Sequence, residues 1–383
     1  MSEHARLSPS GYSRWGVCHL SLDLEPAMPD KTSPYAELGT RLHEEAQKHL
    51  RAGTHIDLGS GSGSGTSISV APSGSRLTYA QAETVQTYLD HVRAESYGGD
   101  LLIEQKLKLD GDLWGTADAV IFVTRQVGGQ TQNILTIVDL KTGSGVKVFA
   151  KENGQLQIYA VLARFEWGAI YGPFDRIELH IVQPPLDHID VWSLTNDTLD
   201  AFEQELLATI ARINSGDRRA VPGEKQCLFC RAKAVCRARA EHSLAAIRSD
   251  FAAPATLSIA EVANLLPQVK QITDWCAAIE THALQQAGKG FTVPGYKLVA
   301  GRSSRTWRSE KDAAEALSIC GIPDAKLWNR KLIGITETEM LIGKSHPVFG
   351  EQTVKPQGKS ALVPEKDPRP ELAQGADFTA VIV

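Results

Sequence analysis

The chain has 383 residues, 42% apolar and 22% charged, which is enough apolar surface for a real core and enough length for two domains. A net charge of −5 excludes a globally basic nucleic-acid coat but not a local basic groove. No apolar run approaches the ~18 residues of a membrane span, six cysteines are too few for a disulfide scaffold, and the polar opening over residues 1–6 predicts a protein that is not exported and stays in the cytoplasm, away from membranes.

Residues 7–24 carry Trp15 and Cys18 in a mixed apolar stretch, and a loop with Pro26, Pro29 and Pro34 follows. Leu38, Leu42, Ala46 and Leu50 recur every four residues, so 35–50 reads as a helix; it contains His43. The Gly/Ser run 59–67 reads as a flexible loop, native or introduced. A second helix is expected over 78–95, with Ala82, Val85, Leu89 and Val92 on one face. Strands are expected at 101–109, 114–123 and 134–141, the first two separated by the turn Asp110-Gly111-Asp112. Helix 153–167, strand 176–183 and helix 196–215 follow. Strands first, then helix, strand and helix predict a mixed α/β core. Residues 222–242 form a compact, basic, cysteine-containing segment. Residues 257–288 look helical, with Val262, Leu265, Leu266, Val269, Ile272 and Trp275 in amphipathic array. A small module opens at Pro294-Gly295 and ends in a Pro-rich tail at 356–370. The expected organisation is a core over 1–245, a helical connector over 246–289 and a C-terminal module over 290–383.

Cys227-Leu228-Phe229-Cys230 with Cys236 places three thiolates within ten residues, a spacing used by zinc and by iron–sulfur clusters alike. A fourth ligand is needed. Cys276, one residue after Trp275 in a helix, reads as a small core residue, and Cys320 reads as a helix-end residue. Cys18, in the Trp-containing N-terminal stretch, is the remaining choice. Binding would tie the N-terminus to the end of the core and make metal loading part of folding.

Asp139 and Lys141 are two apart on a strand and share a face. A carboxylate beside an ammonium can hold Mg²⁺ while the lysine acts at a phosphate. Asp118, in Gly115-Thr116-Ala117-Asp118, offers a second carboxylate, and Mg²⁺ takes one or two carboxylates plus waters and substrate phosphate. Glu104 is either a further acid at this site or a strand-edge charge. Taken singly, Asp139 and Lys141 could be a surface ion pair, His43 an ordinary helix histidine, and Gln155 with Tyr159 a polar patch on one helix face.

In order, His43, Gly115-x-x-Asp118, Asp139-Leu140-Lys141, Gln155-x3-Tyr159 and Cys227-x2-Cys230-x5-Cys236 resemble the RecB-like branch of the PD-(D/E)XK nucleases. The likeness extends to its members with a four-cysteine [4Fe–4S] staple, the CRISPR-adaptation iron–sulfur nucleases and the AddB nuclease domain. It covers about residues 7–242. Through Leu7-Ser8-Pro9-Ser10 with Trp15 and Cys18, the chain also looks like an uncharacterised phage and prophage family of that group. The one departure is aspartate, at Asp139, where glutamate is commoner. The resemblance implies a restriction-endonuclease-like core, with a mixed central sheet flanked by helices, an iron–sulfur staple and a small C-terminal module. It implies Mg²⁺ or Mn²⁺ held by His43, Asp118 and Asp139, with Lys141 positioning water, and Gln155 and Tyr159 orienting the substrate strand or the lysine. It further implies a [4Fe–4S] cluster on Cys18, Cys227, Cys230 and Cys236.

Residues 211–239 hold eight Lys/Arg against two acids, a local +6 that suits salt-dependent phosphate binding. Arg231, Lys233, Arg237 and Arg239 are candidate DNA contacts, and Arg302 and Arg305, near Trp307 and Arg308, could add a second patch. The expected activity is a metal-dependent deoxyribonuclease on single- or double-stranded DNA, exonucleolytic or end-processing. It would work beside phage recombination or replication proteins in a bacterial cytoplasm. The rivals are a non-catalytic DNA-binding or assembly protein of the same fold, and a structural-zinc protein.

Overall fold

A computed structural model of the chain describes residues 5–29, 34–56, 69–70, 76–109, 111–247, 259–297, 309, 311–312, 314–315, 334–343 and 346–353. The Gly/Ser run 59–67, Asp110, Arg302, Arg305, Trp307, Arg308, Cys320 and the tail 356–370 lie outside the described residues.

Strands β1 (Ser69–Val70) and β2 (Arg76–Leu77) form a short ribbon. The main sheet has five strands in chain order: β3 (Asp100–Lys108), β4 (Trp114–Val127), β5 (Gln130–Leu140), β6 (Arg176–Gln183) and β7 (His188–Leu194). β3, β4 and β5 run antiparallel, as short turns dictate. Between β4 and β5, Gly128 and Gly129 take φ of 58° and 80°, a conformation that a tight hairpin needs and that glycine adopts without a Cβ penalty. β6 lies parallel to β5, which requires a crossover, and helix α5 (Gly154–Tyr171) supplies it. β7 then pairs antiparallel with β6. Its side chains alternate between exposed and half-buried up to the buried Leu194, a pattern with little apolar density.

Central strand β5 is covered on both faces, which explains its nearly unbroken apolar run from Ile134 to Leu140. On one face Ile134, Val138 and Leu140 pack with Leu42 and Ala46 of α3 (Pro34–Ala52) and Val85, Leu89 and Val92 of α4 (Tyr79–Ser96). On the other, Leu135, Ile137, Leu179 and Ile181 pack with Leu156 and Ala160 of α5 and Leu199, Leu206 and Ile210 of α6 (Asn196–Asn214). Each such Leu, Ile or Val side chain contributes about 1.5–3 kcal/mol when fully buried. The helices start where their caps are. Thr78 and Gln81 form a reciprocal capping box on α4, and the Asn153 side chain accepts from the backbone of Gln155 and Leu156 on α5.

The N-terminal stretch is anchored on α5. Leu7 and Trp15 are buried in its core, the Trp15 indole donates to Ser8 O at 2.8 Å, and Tyr12 meets Trp15 edge-on. Helices α1 (Tyr12–Trp15) and α2 (Ser21–Leu24) thereby lie against α7 (Glu224–Leu228) and its surroundings. Leu20 N donates to Arg219 O at 3.2 Å and Arg231 N to Glu25 Oε1 at 2.9 Å. Helix α8 (Arg237–Ile247) packs against α9 (Ile259–Gly288), and short helices α10 (Ile335–Ile342) and α11 (Pro347–Gln352) follow. Cys276 is exposed, contrary to its reading as a core residue. Val262, Leu266 and Val269 of α9 are exposed too; their periodicity makes an amphipathic helix without burying it among the described residues. No helix among the described residues is long and apolar enough to cross a membrane.

Candidate active site

The end of β5 carries Asp139, and Lys141 follows it. Lys141 N still donates to Val182 O at 2.8 Å, so the strand geometry persists and both side chains leave on one face. Asp139 is 3% exposed, and its Oδ2 lies 2.8 Å from Lys141 Nζ. The cap at Asn153 sets Gln155 in the first turn of α5, facing the strand end. Gln155 Nε2 donates to Asp139 Oδ1 at 2.8 Å, and its Oε1 accepts from Lys141 Nζ at 3.2 Å. The three side chains form a closed triangle. Tyr159, one turn further along, is buried beside them; burial, and after it the charges of Asp139 and Asp118, push its phenol well above the usual range. A Cβ on Gly115 would stand 3.0 Å from Tyr159 Cε1 and 2.8 Å from Pro9 Cδ, which gives this glycine a packing reason.

The second half of the site is a fault in the sheet. β3 pairs Ile103 with Ala119 and Gln105 with Ala117, and Glu104 between them takes φ 49°. A non-glycine residue there costs of order 1–3 kcal/mol and persists only where its surroundings demand it. On β4 the inside–outside alternation slips at the same level: Ala117 joins the core beneath α5, while Ala119 joins the core beneath α3 and α4. Asp118 is turned so that its Oδ2 accepts from Leu140 N at 2.7 Å. Its Oδ1 lies 3.3 Å from Nδ1 of His43, and Glu104 Oε1 lies 4.0 Å from the same nitrogen. One donor atom each from His43, Glu104 and Asp118 falls within 4.8 Å of the others.

This cluster carries more negative charge than its surroundings neutralise. Burial, reinforced by Asp118, raises the Glu104 carboxyl to about 7. Burial works against protonating His43, but Asp118, Asp139 and Glu104 together outweigh it and raise the imidazole to about 9. Asp139 is raised by burial against the pull of Lys141. Lys141 is depressed by burial, but Asp139 overrides this and its pKa ends above the usual lysine value, so the amine stays charged. Protons held on His43 and Glu104 occupy the place of a cation, which would displace them. An oxygen-dominated donor set of this kind fits Mg²⁺ or Mn²⁺. Of the expected ligands, His43 and Asp118 converge with Glu104, whereas Asp139 is engaged by Lys141 and Gln155.

Sequence reasoning missed the supports of the loop after Lys141. Gln183 is buried; its Nε2 donates to Gly143 O at 2.7 Å and Val146 O at 2.9 Å, and its Oε1 accepts from Val148 N at 3.0 Å. Asp190 Oδ2 accepts from Ala150 N at 2.7 Å. The only sequence signal was an amide at the end of an apolar strand, with partners about forty residues away.

Cys18, Cys227, Cys230 and Cys236 line one cavity, between α1, α2 and the 220–239 segment, with Arg14 and Lys233 also on its wall. Gly223 N donates to Cys227 Sγ at 3.4 Å. Burial, with Glu25 adding to it, pushes the Cys230 thiol up to about 12, so it keeps its proton in the absence of a metal. Around the cavity the basic count is reduced by acids from elsewhere in the chain. Arg212 pairs with Glu205 at 2.9 Å, and Arg218 pairs with Asp23. Arg239 must be removed from the candidate DNA contacts: it is 4% exposed, and its guanidinium donates to Gln271 Oε1 at 3.1 Å and Gln271 O at 2.7 Å. Arg231 and Arg237 are exposed, and Lys233 is half-buried with its Nζ on Leu228 O at 2.9 Å.

A family model described as "Protein of unknown function (DUF2800)" matches residues 4–370. The solved structure described as "Crystal structure of SSO0001" shares 15% identity, covering 62% of this chain and 89% of its own, with a TM-score of 0.28; that likeness is too weak to build on.

Proposed function

The chain belongs to the DUF2800 family, whose description states no function, so the site itself must carry the assignment, and we propose that the protein is a metal-dependent deoxyribonuclease. The observation that carries this reading is the closed triangle of Asp139, Lys141 and Gln155 beside the convergent His43, Glu104 and Asp118. His43, Asp118 and Glu104, with Asp139 adjoining, would hold Mg²⁺ or Mn²⁺, which supplies Lewis acidity at a phosphoryl oxygen and acidifies water. Lys141 stays protonated, so it acts as a fixed cation and donor rather than as a base. Of the three hydrogens on its ammonium, Asp139 and Gln155 engage two, leaving one for a phosphate oxygen or the attacking water. A donor held in place before substrate arrives costs no reorganisation in the transition state. Tyr159 hydrogen-bonds the Gln155 side chain and so helps hold that amide in position, while Gly115 leaves room for the Tyr159 ring.

The four cysteines would hold a [4Fe–4S] cluster. Their convergence on one cavity supports this. A cluster places each thiolate on a separate iron, whereas a zinc ion draws its ligands onto one centre, so the iron and zinc content of the purified protein distinguishes the two. Arg231, Lys233 and Arg237 then flank the cluster as the DNA-facing charge. The test is anaerobic purification followed by an assay with Mg²⁺ or Mn²⁺ on end-labelled and circular DNA, single- and double-stranded. Cleavage with release from ends is expected. A protein with a full cluster and tight DNA binding that cuts no DNA form with either cation would overturn the enzyme reading and leave a non-catalytic DNA-binding protein.

A further inference from the structure

Away from this site, α4 and β6 bring a second set of donors together. His91 and Glu95 are one turn apart on α4 and share a face. Opposite them on β6, His180 is 2% exposed, and its Nδ1 lies 2.9 Å from His91 Nε2. The two rings meet edge to face, with centroids 5.1 Å apart. One donor atom each from His91, Glu95 and His180 falls within 4.8 Å of the others. We propose that His91, Glu95 and His180 bind a divalent transition metal, zinc by preference, that ties helix α4 to strand β6.

The surroundings prepare these residues as ligands. On the far side of its ring, His180 Nε2 lies 3.5 Å from Glu178 Oε2, and Glu178 is itself held by Arg176 at 2.8 Å. A carboxylate at Nε2 favours the tautomer with its proton there, leaving the Nδ1 lone pair facing His91 and Glu95. His180 Nε2 makes no other hydrogen bond among the described residues, and Glu178 is the carboxylate placed to accept from it when the ring binds a metal, as the outer partner of a metal-bound histidine does. Glu95 is oriented by Arg125, whose Nη1 lies 2.9 Å from Glu95 Oε2.

Two imidazoles and one carboxylate are a donor set for Zn²⁺ with a fourth position for water, and the nitrogen-rich set selects against Mg²⁺. Nitrogens each about 2.0–2.1 Å from a tetrahedral zinc stand roughly 3.3 Å apart, so a shift of a few tenths of an ångström admits the ion. The site shares no residue with the pocket at His43, Asp118 and Asp139 and does not depend on the nuclease reading.

The test is a Co²⁺ titration of the full chain in excess Mg²⁺, followed by visible absorption, with Zn²⁺ as competitor. One equivalent is expected to give d–d bands of nitrogen and oxygen ligation without thiolate charge transfer. These bands should persist in Cys236→Ala and vanish in His91→Ala. Glu178→Gln, which touches no metal, should weaken affinity about 10–100-fold. Should His91→Ala fail to fold, Glu95→Gln gives the same readout with its shape conserved. The proposal is overturned if all Co²⁺ absorption is of thiolate type and disappears in Cys236→Ala. It is overturned equally if the bands are unchanged in both His91→Ala and Glu95→Gln; either result reduces the pair to hydrogen-bonded histidines.

Discussion

The carboxylate pocket and the cysteine cavity differ in what holds them together before any ligand binds. In the pocket, Asp139, Lys141 and Gln155 satisfy one another, on a strand buried on both faces and a helix fixed by its cap. Around the cavity, short helices α1, α2 and α7 are joined by isolated bonds such as Leu20 N to Arg219 O. Four thiols face a common space, and Cys230 retains its proton. A group that acts on transition-state charge must be in place beforehand. A structural metal can instead complete the fold that binds it.

That contrast is sharpest under Cys236→Ala. Loss of the proposed cluster should unravel the 222–242 segment, since structural metal binding contributes on the order of 10 kcal/mol to such segments. The main sheet should survive. Hydrogen exchange by segment measures both, and unchanged protection over 222–242 would break the comparison. The pocket should show the reverse pattern. Asp139→Asn is expected to lower the cleavage rate by about a thousandfold, and Lys141→Ala by about a hundredfold, both with exchange protection of the sheet retained and DNA affinity nearly intact. A large loss of DNA binding in Lys141→Ala would recast the lysine as a binding residue. Gln183→Leu removes one acceptor and two donations from the loop after Lys141, and should cost about 1–3 kcal/mol in denaturant unfolding by leaving backbone groups unsatisfied. The smallest effect separates two neighbouring arginines. Arg237→Ala should reduce the salt slope of DNA binding by about one phosphate contact, whereas Arg239→Ala should lower Tm and leave that slope unchanged. Equal slopes in both variants would remove the basic flank from the DNA-facing surface.

Much of the fold was legible because its signals are local. The four-residue spacing from Leu38 to Leu50, the apolar face of Ala82, Val85, Leu89 and Val92, and the apolar run over 134–141 depend on near neighbours along the chain, and the observed elements Pro34–Ala52, Tyr79–Ser96 and Gln130–Leu140 follow them closely. The shared face of Asp139 and Lys141 is likewise a matter of strand period. Alternating β7 was passed over because an edge strand with a half-exposed pattern lacks the apolar density of its neighbours.

What the chain could not disclose on its own is what depends on partners distant in sequence. Glu104 was evenly balanced between site acid and strand-edge charge, and only the left-handed turn at that residue, opposite the slip at Asp118, directs it to His43. A count of charges over 211–239 gave +6, but Asp23, Glu205 and Gln271, all outside that segment, engage Arg218, Arg212 and Arg239. His91 and His180 are separated by 89 residues, and no spacing rule joins them. Local periodicity determines which elements form, because backbone hydrogen bonding and burial act over a few residues. Which charges are left unpaired, and which donors converge, is decided by the packing of α3, α4 and α5 on the sheet, since Coulomb and coordination energies depend on distance in space.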